Sequence, residues 1–339
     1  MKRSRANARS VARQSARSTL PALSPLARIA VLLAAGCLLA CSDRAATTAP
    51  AAPAAAEFDG GRAFRDLEAL VKLGPRPAGS AAAEQARELL RERLRQAGWR
   101  VETHDFAVPR LGGAPVAMQN LIARHGAGPA GTLVITHYDT KNIPGIEFVG
   151  ANDGASGAAV LLELARVTAG DPRTAGVELV FFDGEEAFGA NITDADGLYG
   201  SKALARRMAD DGSIAALRAV VLVDMVGDRD LNLALDFRSS PELRKAYESA
   251  AAKCGLPDPF DPGQAMGVID DHTPFQERGV PQSLALIDFQ YGARRSPGPR
   301  WHTSGDTLEA VSADSLNAVG RPLVEMLRQM GAAGAAAAP

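Results

Sequence analysis

The sequence predicts an α/β fold, a three-layer α/β/α sandwich around a mixed, mostly parallel central sheet. Three observations predict it. Apolar runs such as "TLVIT", "VELVFF", "AVVLV" and "SLALI" are continuous rather than alternating, so each is read as a strand buried on both faces. Segments with apolar residues at helical spacing separate these runs, which is the pattern of parallel strands joined by crossover helices. Finally, residues 58–330 make about 275 residues without an internal repeat, enough for one large domain with a full core.

The chain carries 37 basic and 39 acidic side chains, yet every charged residue from Met1 to Ala40 is basic: Lys2, Arg3, Arg5, Arg9, Arg13, Arg17 and Arg28. With those set aside, 30 basic side chains face 39 acidic ones, a net charge of about −9. A body that acidic argues against nucleic acid as a partner. The basic start leads into "IAVLLAAGCLLA" and then Cys41, the order of a secretory signal, and the run is too short for a comfortable membrane span. The tetrapeptide "LLAC" resembles the bacterial lipoprotein signal, which implies a signal peptide over 1–40 and a lipidated Cys41 as the membrane anchor. An ordinary cleaved signal with a chance cysteine is the alternative, and a site at Cys37 would shorten the apolar run. Ser42 favours an outer-membrane lipoprotein facing the periplasm if the host is Gram-negative. If Cys41 is acylated and Cys37 removed, Cys254 is the only thiol left, and no intramolecular disulfide can form.

The Ala- and Pro-rich stretch over 41–57 reads as a flexible linker. Helical periodicity then marks "RAFRDLEALVKL" and "AAAEQARELLRERLRQAG", the latter stopped by Gly98. The β-formers of "WRVETHDFAV", "QNLIARH" and "GTLVITHYD" follow. Next come helix "ASGAAVLLELARVT", strand "VELVFFD", helix "SKALARRMA", strand "AVVLVDMV", helix "PELRKAYESAAAKCG" and strand "QSLALIDF". A last helix is predicted over about 312–330, and "GAAGAAAAP", 331–339, reads as a disordered tail.

Parallel sheets place their chemistry just beyond the carboxyl ends of the strands. There the chain sets His137 and Asp139, Asp153, then Asp183, Glu185 and Glu186, then Asp224, and on a longer loop His302. Singly, Asp153 reads as a helix N-cap, Asp224 as a turn residue and either histidine as a structural residue. As a set they repel or suffer desolvation unless a cation compensates them. Oxygen and imidazole donors without thiolate suit a catalytic zinc that keeps an open coordination position. Glu185 and Glu186 are adjacent and cannot both point the same way, so Glu186 is assigned as a metal ligand and Glu185 as a free base facing the substrate.

"THYDTK", "VGANDGASGAAVLLELAR", "VELVFFDGEEAF", "LYGSKALA", "LVDMVG", "DDHTPFQERGVP" and "WHTSGDTLE" stand in the order and approximate spacing of the zinc-dependent M28 peptidase superfamily, which the chain resembles over about 62–330. The resemblance implies the zinc aminopeptidase (phosphorylase/hydrolase-like) fold and a catalytic domain over 58–330. It also implies one of two reactions: a two-zinc aminopeptidase, or a one-zinc glutaminyl-peptide cyclotransferase of the animal type. By position, Asp153, Glu186 and His302 match the zinc ligands of both branches, and Glu185 matches the general acid/base. His137 and Asp224 match the second-zinc ligands of the aminopeptidases; in cyclases the aspartate joins a proton network with the base. Asp270 in "DDH", the long segment between "GEEAF" and "LYGSK", Trp301 as an aromatic wall and Lys141 in "HYDTK" lean towards the cyclases. "GANDGASG" has the aminopeptidase form, "GANITDADG" lacks the tryptophan of mammalian cyclases, and Thr136 stands where those enzymes have a cysteine. The reading is a zinc-dependent cyclotransferase acting on N-terminal Gln of peptides or proteins. The alternatives are the aminopeptidase and, remotely, an inactive periplasmic binding module, whose mark would be the loss of a ligand or of the base. The oligomeric state is not legible in the sequence.

Overall fold

A computed structural model of the chain describes residues 56–110, 113–128 and 130–336. The expected signal peptide, Cys41 and the linker as far as residue 55 lie outside the described residues. Helix α1, Gly60–Val71, starts at Asp59, whose carboxylate accepts from the N–H groups of Gly61 and Arg62. Helix α2, Ala81–Gln96, starts at Ser80, whose side chain accepts from the N–H of Ala83. Gly98 takes the positive φ that turns the chain into β1, Arg100–Val108.

Strand β1 pairs antiparallel with β2, Val116–Arg124, which pairs antiparallel with β4, Val177–Phe182. From there the sheet is parallel through β3, Thr132–His137, β5, Ala219–Asp224, and β8, Gln282–Ile287. The order is β1-β2-β4-β3-β5-β8. Successive residues of the central strands enter two different cores. Val134, Leu179, Val221 and Leu284 pack with α1, α2, α3 (Ala155–Thr168), α5 (Pro241–Lys253) and α7 (Ala313–Ala336). Ile135, Val180, Leu222 and Ala285 pack on the other face with α4, Tyr199–Asp210, and α6, Thr273–Gln276. The predicted sandwich with its mixed, mostly parallel sheet is therefore what forms.

Helix α3 lies directly on the sheet. A Cβ on Gly157 would come within 2.2 Å of the Val223 carbonyl and 2.3 Å of Thr136 Oγ1, so only glycine permits this approach. The contact sets the helix start, and Asp153 just before it, over the ends of β3 and β5.

Three features depart from the expectation. A second, two-stranded sheet pairs β6, Leu233–Asp236, with β7, Phe260–Met266, through a bulge at Ala234/Leu235. The short helix α6 also escapes the periodicity reading. Helix α7 runs to Ala336, so residues 331–336 are helical rather than a disordered tail. Alanine is the best helix former, and Gly331 lies against the Arg173 backbone, where a side chain would not fit.

Candidate active site at the carboxyl ends of the strands

His137 is the last residue of β3, and its imidazole is fully buried. The chain leaving it is held by Arg76, a fully buried arginine. Its guanidinium donates to the carbonyls of Tyr138 (3.1 Å), Gly74 (3.1 Å), Val149 (2.7 Å) and Gly150 (3.2 Å). Burial pushes this group down to about 10, while Asp306, Asp139 and Asp153 act in the opposite sense. Gly150, at φ 55°, makes the turn that presents Asp153; a Cβ there would lie 2.3 Å from the Asp153 carbonyl. Asp306 then accepts from the N–H groups of Asn152 (2.7 Å) and Asp153 (3.0 Å) and from the Tyr291 hydroxyl (2.7 Å).

Strand β4 is followed by Asp183 and Gly184, the latter at φ 71°. The Asp139 carboxylate accepts from the N–H groups of Glu185 (3.1 Å) and Glu186 (3.4 Å), and this fixes the backbone while the two side chains diverge. Glu186 reaches His302, with Oε1 3.2 Å from Nε2, and its Oε2 accepts from Lys141 Nζ at 3.3 Å. Among the described residues, no donor lies within hydrogen-bond distance of the Glu185 carboxylate, which lines the neighbouring cavity.

Asp153 stands between two histidines. Its Oδ2 lies 3.3 Å from His302 Nε2, and its Oδ1 lies 3.2 Å from His137 Nε2, which is also 3.1 Å from Asp224 Oδ1. Two three-ligand cages thus share one carboxylate: Asp153, Glu186 and His302 form the outer cage, and His137, Asp153 and Asp224 the inner one. An imidazole nitrogen carries one hydrogen at most, so neither Nε2 can satisfy two carboxylates as a donor. Oxygen and nitrogen atoms spaced in this way suit ligands around a divalent ion at bond lengths of about 2 Å. The donor set therefore fits zinc in both cages.

The charges restrain one another. Burial pushes Glu185 well above the ordinary carboxylate range, against the nearby His137, and Glu186, Asp270 and Asp271 add to the rise. Asp270 is likewise pushed well up, by burial and then by Asp224 and Asp271. Burial raises Glu186 and Asp224 too. For Asp153, burial acts upward, but the hydrogen bonds with His137 and His302 outweigh it and hold the carboxyl low. Burial lowers His302, and the bonds to Asp153 and Glu186 reverse this and raise it to about 9.

A cavity of about 260 Å³ opens beside the outer cage. Of the residues singled out in the sequence, Lys141, Asp153, Glu185, Glu186, Asp224, Asp270 and His302 line it, and Trp301 forms part of the wall. Trp301 stacks on the His302 ring with centroids 3.9 Å apart, and Phe148 meets that ring edge-on. His137 sits behind the wall, not on it. Two acids grouped with this set lie elsewhere. Asp139 works beneath the site through the backbone of Glu185 and Glu186. Asp183 turns away from it, to Arg87 (2.9 Å) on α2 and the N–H of Gln119 (3.0 Å). Sequence reasoning missed Arg76 and Asp306, although Asp306 stands inside the quoted "WHTSGDTLE".

The profile of peptidase family M28 matches residues 120–327. The glutaminyl-peptide cyclotransferase of Drosophila melanogaster is 30% identical over 264 residues, 70% of this chain and 72% of that one. The glutaminyl-peptide cyclotransferase-like protein of Mus musculus is 32% identical over 283 residues, 75% of this chain and 72% of its own. Among solved structures, the glutaminyl cyclase of an Acidobacteriales bacterium superposes with a TM-score of 0.75 at 34% identity, covering 85% of this chain and all of that one.

Proposed function

The chain belongs to peptidase family M28 and is a glutaminyl-cyclase-like enzyme of it; from that premise we propose that it converts the N-terminal Gln of peptides to pyroglutamate with release of ammonia. The observation that carries this reading is the asymmetry of the two cages. The outer one meets a small cavity whose wall carries an unpaired base, Glu185, and a second buried acid, Asp270, while the histidine of the inner one is sealed behind it.

Asp153, Glu186 and His302 would hold the zinc, which when bound polarises the γ-carbonyl of the glutamine. Trp301, stacked on His302, gives the flat amide a surface to lie against. Glu185 takes the proton from the α-amine as its nitrogen bonds to the γ-carbonyl carbon. As the bond from that carbon to the amide nitrogen breaks, Glu185 returns the proton to the leaving ammonia. Asp270 and Asp224, buried beside it, share and hold this proton. Burial that favours the protonated forms of Glu185 and Asp270 suits groups that must keep a proton between the two steps. Because amine and carbonyl belong to one residue, fixing that residue in the cavity supplies much of the rate.

The test is a mass spectrum of products from the zinc-supplemented protein and two peptides, one beginning with Gln and one with Leu. Loss of ammonia from the Gln peptide alone supports the proposal; release of free leucine overturns it. The second outcome belongs to the two-zinc aminopeptidase, which the presence of the second cage of His137, Asp153 and Asp224 favours. In that reaction Glu185 would instead deprotonate an attacking water.

Export as a lipoprotein held on the periplasmic side of the outer membrane through Cys41 completes the proposal. It rests on the basic leader, the apolar run and "LLAC". Labelled palmitate incorporated by the wild type and lost in Cys41→Ser is the expected outcome, and equal labelling of both sinks it.

A further inference from the structure

A cavity of about 260 Å³ lies below the range of sites that enclose drug-sized molecules, about 300–1,000 Å³. It takes the first residue of a peptide, and the second residue must leave across its rim. The less buried part of the cavity lining is apolar except for Asn191 and His302, whereas the buried part is charged apart from Met225. Ile269 lines the cavity while 58% exposed, Phe289 and Trp301 are half-buried, and Ile192 comes from a separate loop.

Both isoleucines are held in place. On either side of Ile269 the backbone is pinned, with the N–H of Val268 donating to Asp236 (3.0 Å) and that of Asp270 to Thr273 Oγ1 (3.1 Å). The loop of Ile192 is clamped by Lys202, whose Nζ donates to the carbonyls of Thr193 (3.2 Å), Asp194 (3.0 Å) and Gly197 (2.8 Å). Asp196 closes the same loop by accepting from the N–H groups of Phe188 and Gly189, both at 2.8 Å, and from the Tyr199 hydroxyl. A rigid apolar side chain left in water at the mouth of a polar cavity gains by being covered, and it penalises a charged neighbour that must shed its water.

We propose that Ile269 and Ile192, with Phe289, form a subsite for the second residue of the substrate, so that the enzyme selects peptides with a large aliphatic or aromatic residue after the N-terminal Gln. The subsite rests on the cyclisation reading. It acts on binding of a part of the substrate that does not react, so its effect falls on KM more than on kcat.

The test uses zinc-loaded enzyme and peptides that differ only at position two: Gln-Leu, Gln-Phe, Gln-Gly and Gln-Glu, followed by ammonia release. The expected kcat/KM for Leu and Phe exceeds that for Glu by about tenfold or more, the scale of a hydrophobic subsite. In Ile269→Ser the Leu-to-Glu ratio falls by about tenfold, through KM. Asp270 adjoins Ile269, and a displaced Asp270 would lower kcat for every peptide alike without moving the ratio. Ile192→Ser, on the other loop, is expected to lower the ratio as well. A flat wild-type profile, or a ratio unchanged in both variants, overturns the subsite while leaving the cyclase intact. Failure to cyclise any Gln peptide overturns the reaction, and the subsite with it.

Discussion

The inner and outer cages share Asp153, have the same kind of donors and differ in their surroundings. In the inner cage the His137 side chain is wholly buried, with Asp139 on its far nitrogen side and Asp224 on the other. In the outer cage the His302 side chain keeps 17% exposure, is backed by Trp301, and faces a Glu186 whose second oxygen is taken by Lys141. The difference teaches that ligand spacing alone does not choose a reaction. Access, and the charges that share the carboxylates, differ between the cages although the donors do not.

The sharpest way to break the comparison is to remove what the cages share. Asp153→Asn is expected to abolish stoichiometric zinc binding and to lower turnover by at least about a thousandfold. His302→Ala should do the same to the outer cage while leaving the inner one chemically whole. Zinc content by elemental analysis distinguishes them. If Asp153→Asn keeps a tightly held ion, the shared carboxylate is not the hinge of the site.

Next in size is Glu185→Gln, which leaves both cages untouched. Turnover should fall by about 10²–10⁴ with zinc content and KM little changed. Loss of zinc from this variant would move Glu185 from base to ligand.

His137→Ala then asks what the inner cage is for. Under the cyclase reading the variant keeps one zinc, and kcat drops by about tenfold as Asp224 loses its partner within the proton network. Loss of one of two zinc ions, with full loss of activity, would instead favour the aminopeptidase.

The sandwich was legible because the continuous apolar runs of β3, β4, β5 and β8 can be buried only between two helical layers. The outer-cage residues were legible because each stands at or beyond the end of such a run. Strands β6 and β7 were not, since "LALD" is four residues long and "FDPGQAM" contains Pro and Gly and holds its register only through a bulge. Arg76 was invisible for a different reason. Arginine is among the residues least often fully buried, and only the folded chain reveals that backbone carbonyls converge on its guanidinium. Asp139 and Asp183 were grouped with the ligands by position alone. The direction of a carboxylate after a strand end depends on backbone turns, such as the one at Gly184, that a linear reading does not resolve.

The smallest effect, in pH, also separates the cages. In metal-free protein His302 is raised to about 9, because its bonds to Asp153 and Glu186 outweigh its burial; unfolded, it titrates near 6.5. A histidine whose folded value is raised contributes stability that is fully present below about 6.5 and is lost as pH climbs through about 9. Zinc needs the neutral ring, so binding expels that proton and becomes tighter over the same interval. Melting temperatures of metal-free protein are therefore expected to decline from about pH 6.5 to 9, while the gain on adding saturating zinc widens. A metal-free melting temperature that holds steady or rises across that window would mean that His302 does not carry the proton. His302→Ala should flatten the part of the decline that belongs to the outer cage, and the slope that survives in the variant belongs to the other raised groups, His137 and the buried carboxyls of Asp183, Asp271 and Asp306 among them.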